Sequence, residues 1–226
     1  ATPKPTATPT PDPDSPAEVQ KKIKEVIRLT NEVRKKHGWS ALKENAELDK
    51  GAAVRAKEIY KVPSHIRPDG RSADSAYHEA GAGNIRGENI GTGDSAKIVV
   101  KNLEESPGHL NTMLSDSYTH MGVGYYKGFW VQVFAKNPEQ KFTLTVDANG
   151  GYFPDKGGVE KYTIQVPAGM TLYTDDISKP QKNGSALNRW TTIYDDGYEI
   201  SSDAYKNSKL HMTENQTLRA DWNDDI

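Results

Sequence analysis

The sequence predicts an α/β protein: a layered domain of helices over a small antiparallel sheet, followed by a separate small β-rich unit. Three observations carry this. Apolar residues follow a helical period through residues 15–114, alternate strictly from Met121, and stay strand-like from Lys141 onward.

The elements follow in order. Residues 1–14 (ATPKPTATPTPDPD) alternate proline with Thr, Ala and Asp, which predicts an extended, solvated spacer. Ser15-Pro16-Ala17-Glu18 reads as a helix start with a capping box and proline in the first turn. Val19, Ile23, Val26, Ile27 and Val33 then mark one helix face, and Gly38 supplies the stop. A second helix is expected from Ala46 to Tyr60 with Leu48, Ala52, Ala56 and Ile59 inward. Shorter helices are expected over Ser72–Ala80, Asp94–Leu103 and Ser106–Leu114. Met121, Val123 and Tyr125 alternate as a strand, Lys127-Gly128 turns the chain, and Phe129–Phe134 returns. After Asn137-Pro138, strands are expected at Phe142–Val146 and Tyr162–Val166, with a tight turn at Asn149-Gly150-Gly151 and a last strand before Trp222. The domain reading is therefore a 1–14 linker, a 15–137 α/β domain and a 138–226 β-rich domain.

Composition excludes several classes. The 226 residues are 35% hydrophobic, enough for one or two compact domains. Basic residues (29) nearly balance acidic ones (31), so no nucleic-acid partner is expected. No apolar run approaches the ~20 residues of a membrane span. With no cysteine, disulfides and thiolate metal sites are excluded. The start inside low complexity, without Met or an apolar leader, reads as a mature fragment whose upstream signal has been removed.

Four stretches carry potential chemistry: Ser64-His65-Ile66-Arg67-Pro68-Asp69-Gly70, Gly87-Glu88-Asn89-Ile90, Ser106-Pro107-Gly108-His109 and Thr119-His120-Met121-Gly122-Val123-Gly124. In this order, after Asn31–Arg34 and before Trp130-Val131-Gln132, they resemble the bacterial branch of the CAP superfamily (cysteine-rich secretory, antigen 5 and pathogenesis-related 1, or SCP-like, proteins). The missing cysteines fit that branch.

The resemblance implies an α-β-α sandwich with a cleft lined by two histidines and one or two acids, which in some members bind a divalent metal. His65 matches the first histidine, Glu88 the acid of the Gly-Glu-Asn motif, and His109 the second histidine. The second acid falls near Ser106, with Glu104 and Glu105 just before it. Leu103 and Thr112 replace residues usual in bacterial relatives. His65, His109 and Glu88 form a candidate set for Zn²⁺ or another divalent metal, with water in the fourth place. The competing reading makes them a hydrogen-bonded network that organises the cleft.

Other candidates point to structure. Ser106 reads as a helix N-cap, His37 as a helix C-terminal residue, and His120 as a rim or surface residue. Asp69-Gly70 and Gly91-Thr92-Gly93 read as turns, and Tyr125, Tyr126, Phe129 and Trp130 as mostly core.

The stretch from Phe142 to Gly151, with Val166–Leu172, Trp190 and Asn215–Trp222, resembles the internalin-type B repeat, a β-grasp-like module of bacterial surface proteins. That implies spacing, display, or contact with a surface protein or glycan. The leading expectation is an extracellular, secreted or surface-associated, non-enzymatic binding protein whose cleft holds a small molecule, lipid or peptide. The alternatives are a metal-dependent hydrolase of peptide or cell-wall material, and a structural or adhesive protein.

Overall fold

The computed structural model describes residues 12–202 and 208–223. Residues 1–11, most of the expected spacer, lie outside the described residues. The fold is α/β: an α-β-α sandwich followed by a β-rich region. By packing, the chain divides into two compact units. Among the described residues, one holds those up to Ala76 and Arg86–Phe134; the other holds Tyr77–Ile85 and those from Ala135 onward.

In the first unit, α1 spans Pro16–Lys36 and buries Ile23, Val26, Ile27, Thr30, Val33 and Arg34 along one face. Proline sits in its first turn, but the Ser15 side chain makes no capping bond, so the expected capping box does not form. Glu18 pairs with Lys21 instead, at 2.6 Å. After His37 as C-cap, Gly38 takes the left-handed conformation (φ 83°) that stops the helix. The short β1 (Lys43–Glu44) leads through an Asn45 cap into α2 (Ala46–Lys61). Leu48, Ala52, Ala56 and Ile59 all face inward, as the period requires. Arg55 shares that buried face. The α3 helix covers only Asp74–Glu79; α4 spans Ala96–Glu104 and α5 Pro107–Met113.

The sheet has the order β1-β3-β4-β2, with β2 at Ile85–Thr92, β3 at His120–Tyr126 and β4 at Phe129–Ala135. Lys127 (φ 46°) and Gly128 (φ 81°) form the two-residue turn between β3 and β4, a geometry that matches strand twist. The expected antiparallel sheet needs one correction: β1 runs parallel to β3. A second correction concerns Gly91 and Thr92, which continue strand β2 rather than forming a turn. A Cβ on Gly91 would lie 3.0 Å from the Val99 methyl, so the glycine lets α4 close on the strand. Gly124 serves α2 likewise, because a Cβ there would fall 2.0 Å from the Ala52 carbonyl oxygen. The core joins α1, α4 and the sheet around Val26, Val99, Met121, Trp130 and Phe134.

The second unit is a five-stranded sheet ordered β6-β5-β11-β8-β9. Its strands are β5 (Lys141–Asp147), β6 (Lys161–Pro167), β8 (Ala186–Tyr194), β9 (Glu199–Ser201) and β11 (Gln216–Asn223). A small pair joins β7 (Thr171–Tyr173) to β10 (Lys209–His211). Leu144, Val146, Phe153, Trp190, Leu218 and Ala220 form its core. Asn149 (φ 49°) and Gly150 (φ 82°) make the expected turn, and the Trp222 indole N–H caps the Ala148 carbonyl at 2.9 Å. No described helix is long and apolar enough to cross a membrane.

Candidate functional site

The candidate site begins with a buried arginine on α2. Arg55 has a side chain only 1% exposed, and all three nitrogens of its guanidinium donate hydrogen bonds. Its Nε donates to Glu88 Oε2 (3.0 Å) and its Nη2 to Glu88 Oε1 (3.1 Å), a two-pronged pairing. Nη1 donates to Glu58 Oε2 (2.7 Å), and Nη2 also reaches the Ser64 carbonyl (2.5 Å). Arg67 closes the other side of Glu58, with Nη2 to Oε1 at 2.9 Å, and donates through Nη1 to Ser75 Oγ at 3.0 Å. Burial opposes ionisation of Glu58, yet the bonds from Arg67 and Arg55 hold its carboxyl below the usual carboxylate range.

His65 completes the set. Its Nδ1 lies 2.8 Å from Glu88 Oε1, while the residue itself is exposed. A carboxylate on Nδ1 fixes the ring's orientation and turns Nε2 outward, the arrangement used wherever an imidazole must be aimed. The His65 backbone is held as well: its carbonyl accepts from Ala73 N–H at 3.1 Å. Asp74 follows at the start of α3, and its carboxyl is pushed up by burial and by the charge of Glu88.

The remaining candidates separate. His109 Nδ1 pairs with Ser106 Oγ at 2.9 Å, so Ser106 occupies the N-cap position of α5 without capping it through its side chain. The expected hydroxyl cap gives way to the imidazole. The His109 carbonyl accepts from Asn89 Nδ2 (3.0 Å), and the same amide donates to Gln132 Oε1 (3.1 Å), which leads on to Thr30. Successive strand residues face opposite ways. Asn89 therefore ties the α5 backbone to the face of β2 opposite Glu88. Glu104 turns to Lys36 of α1 at 2.7 Å, and Glu105 to Lys101 at 3.7 Å. His120 opens β3 and pairs with Thr119 Oγ1 at 2.8 Å.

This geometry bears on a metal. Both Glu88 oxygens already accept from Arg55, one of them also contacts His65, and a guanidinium beside the carboxylate disfavours a second cation. Among the described residues no group of three or more His, Asp or Glu is arranged to hold a metal ion.

An apolar pocket adjoins the polar site. It encloses about 230 Å³ and is lined by Ile59, Pro63, Ile90, Gly91, Thr92 and Phe129. Ile59 lies one helical turn past Arg55, and Ile90 shares the β2 face of Glu88. Tyr60 extends the apolar surface through edge contacts with Tyr126 (5.2 Å) and Phe129 (5.4 Å). Of the four hairpin aromatics, Trp130 is core, with its indole N–H on the Gly93 carbonyl at 2.8 Å. Tyr125, Tyr126 and Phe129 are only half-buried.

Comparison with known proteins places the fold. Residues 27–134 match the family model described as CAP, the cysteine-rich secretory protein family. The likeness to that family is confined to this segment, which is similar to a CAP domain. The chain is also 32% identical over 132 residues to the uncharacterized protein YkwD of Bacillus subtilis, covering 53% of this chain and 49% of that one. It thus spans about half the length of the curated relative it matches. An extracellular protein of Bacillus anthracis containing an SCP domain superposes with a TM-score of 0.50 at 23% identity, covering 56% of this chain and 45% of that one. A cysteine-rich secretory protein of Staphylococcus aureus gives a TM-score of 0.46 at 19% identity, covering 53% of this chain and 40% of that one.

Sequence reasoning missed Arg55, Glu58 and Asp74. A signal for Arg55 was present: it stands three residues after Ala52 and four before Ile59, on the face reserved for the core. A buried arginine requires a carboxylate, and Glu88 is the acid already singled out.

Proposed function

We infer that this is an extracellular, non-enzymatic binding protein whose CAP cleft presents His65 to an amphipathic small molecule, lipid or peptide. One observation carries the reading: both Glu88 oxygens are committed to Arg55 and His65, so the acid aims an imidazole instead of ligating a metal. The outward Nε2 gives the ligand one directional hydrogen bond, and the pocket at Ile59, Ile90 and Phe129 gives it an apolar anchor. In this reading the sequence is organised as a spacer at 1–14, a CAP-like domain at 15–137 and a second domain at 138–226, even though residues 77–85 pack with the second unit. The second part serves as a B-repeat-like module for spacing and for contact with a surface protein or glycan. The extracellular setting of the similar Bacillus anthracis protein supports this placement.

The test is a titration of the ¹⁵N-labelled chain with laurate and, separately, with a short apolar peptide. Saturable changes at His65 and Ile90 that vanish in His65→Ala are expected from at least one of them. Turnover of a peptide or cell-wall substrate that depends on added metal would overturn the reading.

A further inference from the structure

Residues 77–85 lie inside the CAP segment by sequence but pack as part of the second unit. Their attachment there is backbone to backbone. Gly83 N–H donates to the Pro138 carbonyl (2.7 Å), Asn84 N–H to the Ala168 carbonyl (2.6 Å), and Lys136 N–H to the Asn84 carbonyl (3.2 Å). The Asn84 side-chain amide adds a bond to Gln140 Oε1 at 2.9 Å. A Cβ on Gly83 would fall 2.7 Å from the Ala168 nitrogen and 2.9 Å from the Gln140 carbonyl oxygen, so only glycine permits this approach. Asn84 itself holds a left-handed φ of 51°.

Both ends of this segment lead straight to the cleft. Four residues before Tyr77, Ala73 N–H holds the His65 backbone. Four residues after Asn84, Glu88 holds the His65 ring, about 13 Å further along an extended strand. The two grips on His65 are therefore separated in sequence by the one segment that the second unit holds.

We propose that residues 77–85 are a strap through which the second unit sets the His65–Glu88 geometry, with Gly83 and Asn84 as positioning residues. The proposal rests on reading that pair as the binding site, and its physical content is a single element biased from both ends.

The experiment uses the full ¹⁵N-labelled chain and reads the His65 ring-nitrogen signals and amide exchange at Glu88 and Asn89. Gln140→Ala removes the acceptor of the Asn84 side chain from outside the CAP segment. Gly83→Val forces the backbones apart. Both variants are expected to move the His65 ring signals and to raise exchange at Glu88 and Asn89, by about tenfold for Gly83→Val, with the His120 ring unmoved. Changes confined to residues 77–85, 136–140 and 166–170, with His65 unmoved, would overturn the proposal. If Gly83→Val does not fold, Gln140→Ala decides alone. Neither readout needs a ligand, so a cleft that binds nothing would defeat the proposed function and leave this result standing.

Discussion

Arg55→Met tests the framework of the site most severely. The substitution keeps the volume of a side chain that is 1% exposed but removes its bonds to Glu88, Glu58 and the Ser64 carbonyl. Glu58 keeps Arg67, and Glu88, with a side chain 5% exposed, keeps the imidazole of His65 but loses its two-pronged guanidinium partner. Removing one partner of a buried pair costs about 3–5 kcal/mol, because the other charge stays desolvated. The double variant Arg55→Met/Glu88→Gln removes that stranded charge and should recover about 1–2 kcal/mol of the loss. Amide exchange of α2 and β2 under increasing urea reads the first unit specifically. A loss under about 1 kcal/mol for Arg55→Met, or no recovery in the double variant, would refute the account of Glu88 as a buried, arginine-held carboxylate.

Two further predictions probe packing and charge. Gly124→Ala would set a Cβ 2.0 Å from the Ala52 carbonyl oxygen, so α2 must move off β3, at a cost of about 3 kcal/mol read by urea unfolding. Asp49 accepts from Val123 N–H at 2.7 Å, yet burial and the nearby Glu44 push its carboxyl up to about 7. A carboxyl raised in the folded state adds stability that is full below its unfolded value near ~4 and lost as pH rises through about 7. Asp49→Asn should therefore flatten the fall in stability between pH 5 and 8 and add about 1–2 kcal/mol at pH 8, after discounting for solvent screening. An unchanged pH profile in thermal unfolding would contradict this.

Long amphipathic elements were legible because packing and local pattern agree in them. The spacing of Ile23, Val26, Ile27 and Val33 announces α1, and the turn at Lys127-Gly128 announces the β3–β4 hairpin. Strand β2 was not legible. Its sequence, IRGENIGT, has no apolar alternation, because Gly91 makes room for Val99, Asn89 ties down α5, and Glu88 serves the cleft. Packing and hydrogen-bonding demands have replaced the residues that would signal a strand. In the second unit, β7, β9 and β10 have three residues each, too few to show a period. In the site, motif resemblance singled out His65 and Glu88, which the fold brings together, and also Glu104 and Glu105, which pair with Lys36 and Lys101. Both glutamates sit at the end of an exposed helix face, where a surface ion pair leaves no mark in the sequence.

The measurement that bears most directly on the central claim is calorimetric titration of the metal-stripped chain with Zn²⁺ near neutral pH, beside the His65→Ala/His109→Ala double variant. With Glu88 held by Arg55, no saturable one-to-one binding that depends on these histidines is expected, and the two proteins should give the same trace. Tight one-to-one binding abolished in the folded double variant would mean that Glu88 leaves Arg55 to ligate a metal, and the cleft would have to be read as a metal centre.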